Sequence, residues 1–187
     1  MNPREIAELL NVNIYCVNDA LGIKTPEMLR LRTFLREAKT PEEVGVIHTQ
    51  APYGSRVWRL AWKKLDRLCL KMVQEAETCE RIMSVYEQIP KGMEAKKLAL
   101  EKWHSLSLDK ARKAKTKRQL FRVYAQSPRG SVAENIVFRK TDRLFLKDVR
   151  KAKTREEIVL AYRRAFTDDA GSEAKKLVIK KLAALKS

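Results

Sequence analysis

The chain has 187 residues, 44% of them hydrophobic, and carries 40 lysines and arginines against 23 acidic residues, a formal net charge of +17. That size and apolar content support one or two domains with a real core and exclude a disordered tail. No run approaches the roughly 18–20 uncharged apolar residues of a membrane span, and Cys16, Cys69 and Cys79 with His48 and His104 are too scattered for a zinc site.

The positive excess directs the partner towards nucleic acid, anionic surfaces or acidic proteins. The opening MNPREIAELL, with Arg4, Glu5 and Glu8, lacks the apolar core of a signal peptide. Three thiols with no paired spacing fit a reducing compartment. The expectation is a cytoplasmic chain with no membrane partner, cofactor or metal.

In residues 1–37 the stretch IAELLNVNIYCVNDAL, Ile6 to Leu21, spaces apolar residues for two short helices. Ile6, Ala7 and Leu10 lie on the first, Asn11-Val12-Asn13 form the turn, and Val17 and Leu21 lie on the second. Ala7 permits close helix approach and Asn11 can take a left-handed turn conformation. The segment resembles the helix-turn-helix of transcription regulators, which implies that Asn13, Ile14, Tyr15 and Asn18 face the major groove. Charge opposes that role. Arg4, Lys24, Arg30, Arg32 and Arg36 are balanced by Glu5, Glu8, Asp19, Glu27 and Glu37, whereas DNA affinity is supplied mainly by phosphate neutralisation. A helical cap over the open end of the remaining chain is the preferred reading.

From Ala38 the chain repeats itself. An Ala-x-Thr triplet falls at Ala38, Ala76, Ala114 and Ala152, a period of 38 residues, and such a period signals repeated structural units. Thr40, Thr78, Thr116 and Thr154 are expected N-caps, completed three residues later by Glu43, Gln119 and Glu157, whereas the second copy has Arg81 there. Pro41 takes the first helical position. Apolar columns come next at helical spacing: Val44, Ile47 and Ala51; Ile82, Val85 and Ile89; Leu120 and Val123; Ile158, Ala161 and Ala165. Pro52-Tyr53-Gly54, Pro90-Lys91-Gly92 and Pro128-Arg129-Gly130 turn the chain, and FTDDAGS replaces them in the last copy. Ser55, Ser131 and Ser172 are expected to cap the second helices.

Those second helices have inward faces at Val57, Ala61, Leu65 and Leu68; Ala95, Ala99, Trp103 and Leu106; Ala133, Val137, Thr141 and Leu144; and Ala174, Val178, Leu182 and Leu185. A break near DRLCL, HSLSL and DRLFL is expected, leaving a short third helical piece in each unit.

Period, hairpin topology and punctuation together resemble the HEAT-like family of α-helical repeat proteins, over Leu31 to Ser187. The resemblance implies an all-α, right-handed α-solenoid of four repeats (38–75, 76–113, 114–151 and 152–187) behind the N-terminal cap. Its members bind proteins, nucleic acids or both.

Charge concentrates in the third copy, where Lys115, Lys117, Arg118, Arg122, Arg129, Arg139, Lys140, Arg143, Lys147, Arg150 and Lys151 face only Glu134, Asp142 and Asp148. Equivalent positions form two columns. One is Lys64, Lys102, Lys140 and Lys181; it lies near the inward face, and either binds an anion or snorkels to cap a neighbouring helix end. The other points outward: Arg59, Lys97, Asn135 and Lys176, then Lys63, Glu101, Arg139 and Lys180, then Arg67, Ser105, Arg143 and Ala184. The candidate phosphate-binding residues are therefore Arg59, Lys63, Arg67, Lys97, Arg118, Arg122, Arg139, Lys140, Arg143, Lys147, Lys176 and Lys180, against the bland alternative of a solvated face.

Tyr86, Tyr124 and Tyr162 share a slot with His48; packed rings are favoured over base-stacking platforms, as they are for Trp58, Trp62 and Trp103. No nucleophile–base pair, phosphate-cradling loop or metalloprotease motif is present. HEAT-like DNA glycosylases supply an enzymatic analogy, through a groove carboxylate such as Asp66 or Asp142 beside a tryptophan, a pair that the sequence does not place. The sequence favours a non-enzymatic nucleic-acid binder of DNA or RNA, with a scaffold for an acidic protein as the competing reading.

Overall fold

The computed structural model describes residues 2–23, 25–163 and 173–184, and among these the chain is helical with no strand. The helices, in order, are α1 (Pro3–Leu9), α2 (Ile14–Ala20), α3 (Pro26–Glu37), α4 (Pro41–Gln50), α5 (Arg56–Glu75), α6 (Cys79–Gln88), α7 (Glu94–Lys113), α8 (Lys117–Ala125), α9 (Val132–Lys151), α10 (Arg155–Arg163) and α11 (Glu173–Ala184). Among the described residues, none is long and apolar enough to cross a membrane.

The helix starts arise from local chemistry. Glu43 N donates to Thr40 Oγ1 at 3.2 Å and Thr40 N donates to Glu43 Oε2 at 3.1 Å, so two orphan donors are satisfied reciprocally. Thr116 with Gln119 and Thr154 with Glu157 repeat the box. Backbone donation from Lys39 and Thr40 holds the Glu43 carboxyl below the ordinary carboxylate value, and donation from Lys153 and Thr154 does the same for Glu157. Thr78 accepts from Arg81 N at 3.1 Å, but Arg81 offers no acceptor in return. Ser55 and Ser131 cap α5 and α9. The preceding turns place Gly54, Gly92 and Gly130 at φ of 78°, 88° and 71°, where a Cβ would be strained.

The long helices depart from the sequence expectation. α5, α7 and α9 each run 20 residues without a break at DRLCL, HSLSL or DRLFL, so no third helical piece forms. The reason is continuity at i, i+4 spacing. In α5 the buried line is Val57, Ala61, Leu65, Cys69 and Val73, and in α9 it is Ala133, Val137, Thr141, Phe145 and Val149. Leu68 and Leu144, expected inward, are only half-buried. Nothing within these segments removes a backbone donor, so the helical ladder continues through their polar positions.

The chain divides into two compact units, residues 1–77 with 84–99, and residues 78–83 with 100–187. In the first, α4 packs on α5 and α3 on both, around Leu31, Leu35, Val44, Ile47, Ala61 and Leu65. α1 packs on α2, Ala7 and Val17 are buried, and Asn11 has the left-handed φ of 50°. Cys16 Sγ donates to Tyr53 O at 3.6 Å. Ala95 N, in the first turn of α7, donates to Asp66 Oδ1 at 3.0 Å.

In the second unit, Ala111, Ala114, Leu120, Val123, Ala133 and Val137 form one buried cluster. Val149, Ala152, Ile158, Ala161 and Val178 form another. Ala165, the FTDDAGS turn, the Ser172 cap and Leu185 lie outside the described residues, as do the side chains of Tyr162 and Ala174.

Candidate nucleic-acid interface

The outward face of α9 is set by its core line. With Val137, Thr141 and Phe145 buried, positions two residues later point to solvent, and Arg139, Arg143, Lys147 and Lys151 are all exposed. They stand at i, i+4, i+8 and i+12, so successive cations are about 6 Å apart and the column is about 18 Å long. That step is roughly two phosphate rises along a nucleic-acid strand, at about 3.4 Å each. None of the four makes an ion pair among the described residues. Arg118 and Arg122 on α8 are also exposed, one helical turn apart. Lys176 and Lys180 on α11 are exposed too, and the next turn of that column is Ala184.

The same column recurs on α5 in the first unit, as Arg59, Lys63, Arg67 and Lys71, all exposed. Its last member pairs with Glu75 at 3.8 Å. On α7 the column is interrupted: Lys97 pairs with Glu94 at 3.3 Å, both strongly exposed, and Glu101, Ser105 and Asp109 come after it.

In the first unit α5 also meets α3 across a groove of about 630 Å³. Leu35, Leu60 and Leu68 form its apolar part, with Arg32 and Arg36 from α3 and Lys63 and Arg67 from α5 around it. Arg32 and Arg36 are a contribution that sequence reasoning missed, because residues 1–37 are neutral taken together.

Lys140 belongs to a different arrangement from the other cations. It is half-buried, and its Nζ donates to the carbonyls of Ala111, Arg112 and Ala114 at 2.8, 2.5 and 3.0 Å. Lys64 donates in the same way to Leu35 O and Arg36 O at 2.6 and 3.2 Å, and Lys181 to Arg150 O and Ala152 O at 3.0 and 2.8 Å. Each ammonium satisfies orphan carbonyls at the end of a preceding helix and complements the negative end of its dipole. Of the two roles open to this lysine column, the capping one accounts for these three members. Replacing Lys140 by Met keeps the stem and removes the donors, and is expected to cost about 1–3 kcal/mol in urea unfolding while leaving oligonucleotide affinity unchanged. A loss of affinity at unchanged stability would return Lys140 to the binding surface.

No family model, curated protein or solved structure matches this chain. The chemistry of its surfaces therefore carries the functional reading.

The aromatic positions are placed against their own units. His48 sits 4.8 Å from Trp58 and 5.1 Å from Trp62, ring centre to ring centre, and Tyr53 meets Trp58 edge-on at 4.9 Å. His48 Nε2 is buried with no hydrogen-bond partner among the described residues, and burial lowers the imidazole pKa. Trp103 Nε1 donates to Gln126 O at 2.6 Å. Tyr86 lies under Lys96 Nζ at 4.6 Å, and Tyr124 lies against Phe138 at 5.4 Å. Both tyrosines are half-buried. In the helix-turn-helix-like segment Ile14, Tyr15 and Asn18 are half-buried. The Tyr15 hydroxyl donates to Glu27 at 3.5 Å and Asn13 Oδ1 accepts from Tyr15 N. A carboxylate at that position repels a phosphate backbone.

Proposed function

We propose that this chain is a non-enzymatic nucleic-acid-binding protein built from four HEAT-like helical repeats of the α-solenoid class, acting in the cytoplasm. The observation that carries the reading is the α9 column: Arg139, Arg143, Lys147 and Lys151, exposed, evenly stepped and without carboxylate partners among the described residues. Such a column suits phosphates and carries no base-reading pattern, so the binding is of low sequence preference. Solvated lysines scattered for solubility would be interspersed with acids, as they are on α7. The 38-residue period and the recurrence of a 9- or 10-residue helix before a 20-residue one in three copies support the repeat assignment. Three cysteines, none of them in a disulfide, support a reducing compartment.

The test is fluorescence anisotropy of labelled single-stranded DNA, RNA and duplex DNA against nuclease-treated protein over a salt series. Three to four phosphate contacts predict a slope of log K against log salt of about −2 to −3 for a single strand and about −3 to −4 for a duplex. Absence of binding at low salt excludes the reading.

A further inference from the structure

The groove between α3 and α5 has a composition that the α9 column lacks. Its cations surround aliphatic surface: Leu60 is 40% exposed and Leu68 half-buried, with Leu35 beneath them. On α3, Leu29 is 44% exposed and stands one helical turn before Arg32 on the same face, extending the apolar surface along the helix. Lys64 also lines the groove, but its ammonium is held by the α3 carbonyls of Leu35 and Arg36. Arg32, Arg36, Lys63 and Arg67 remain, none ion-paired among the described residues, and no acidic side chain lines the groove.

We propose that this groove docks an acidic amphipathic helix of a partner protein. The volume of about 630 Å³ lies in the range of specific binding sites, about 300–1,000 Å³. An incoming helix would place one or two apolar side chains on the leucines, and carboxylates three or four residues away from them on the cations. Arginine supplies part of the cationic rim at Arg32, Arg36 and Arg67, and its forked donors hold carboxylates in a bidentate geometry. The apolar floor decides between polymers. A phosphate backbone has nothing to bury there, and the floor offers no ring on which a base could stack. The proposal is independent of phosphate binding by α9, since the groove lies wholly in the first unit.

The probes are a fluorescein-labelled Glu/Leu peptide with leucines at i, i+3, i+4 and i+7, polyglutamate of equal length, and a labelled single-stranded oligonucleotide. Each is titrated by anisotropy into the full chain and into R32E/R36E, its neutral counterpart R32Q/R36Q, L60N, and R139E/R143E/K147E, with circular dichroism confirming the fold of each variant. The expected result is that the Glu/Leu peptide binds more tightly than polyglutamate, and that R32E/R36E and L60N each weaken it about tenfold, about 1.4 kcal/mol. R32Q/R36Q is expected to weaken it less, and the α9 variant to leave it unchanged. Four outcomes overturn the proposal: no binding of the peptide; equal binding of polyglutamate; an unchanged affinity in L60N; or loss of the oligonucleotide, rather than the peptide, in R32E/R36E. The last would assign the groove to the nucleic-acid path.

Discussion

The triple variant R139E/R143E/K147E is expected to bind a single-stranded oligonucleotide about 100-fold more weakly than the parent at low salt. Each reversal removes one phosphate contact and adds one repulsion. Exposed charge pairs of this kind change an equilibrium by a factor of about two each, so six such changes compound to roughly that loss. The salt slope collapses with it, because the counterions released on binding are those displaced by the three cations. Helical content stays the same, since all three side chains point to solvent and lie off the buried line of α9. The control compares one reversal on each helix, R143E on α9 and K97E on α7, where the cation is already paired with Glu94 and the column continues into Glu101; K97E should have little effect. Equal loss from these two single variants would mean that net charge, and not the α9 column, attracts the polymer.

The contrast between α7 and α9 also shows what a repeated sequence makes legible. Helix starts are decided within four residues, and Thr40 with Glu43, Thr116 with Gln119 and Thr154 with Glu157 are paired in the structure as their spacing requires. Asn11 is a similar case: the residue type that best tolerates a left-handed backbone outside glycine has a φ of 50°. The outward cation column is legible for the same reason, since i, i+4 spacing alone decides which side chains share a face.

Features that depend on partners distant in sequence are less legible. The groove joins Arg32 and Arg36 to Lys63 and Arg67, some thirty residues on, and a charge count over residues 1–37 averages its α3 half to nothing. The lysine column is ambiguous in sequence because the long aliphatic stem allows two destinations. Packing decides: the ammonium of Lys140 lies within reach of the α7 carbonyls of Ala111 and Arg112, and no periodicity announces that distance. The continuity of the long helices is hidden in the sequence because Leu68 and Leu144 invite a shift of the inward face to three-residue spacing. The structure holds four-residue spacing, bringing Cys69 and Phe145 inward instead.

Phe145 accordingly carries the largest stability effect expected of a single side chain here. It is 2% exposed and among the largest fully buried residues described, and Lys117 Nζ lies over its ring at 4.1 Å while also pairing with Asp148. Truncation to Ala removes the ring's burial, opens a cavity and leaves Lys117 with Asp148 as its remaining partner, so a loss of about 3–5 kcal/mol is expected. A domain has about 5–15 kcal/mol in total, so the second unit becomes marginal. Phe145→Leu separates the contributions: it refills much of the volume and loses chiefly the cation–π contact and some packing, about 1–2 kcal/mol. Urea unfolding followed by circular dichroism gives the two values, and amide exchange locates them. Protection should fall in residues 100–163 and persist in α4 and α5 if the two compact units unfold separately, whereas a uniform fall along the chain would mean that the core around Phe145 holds both together. A loss below about 1 kcal/mol for Phe145→Ala would contradict its burial and return Leu144 to the core.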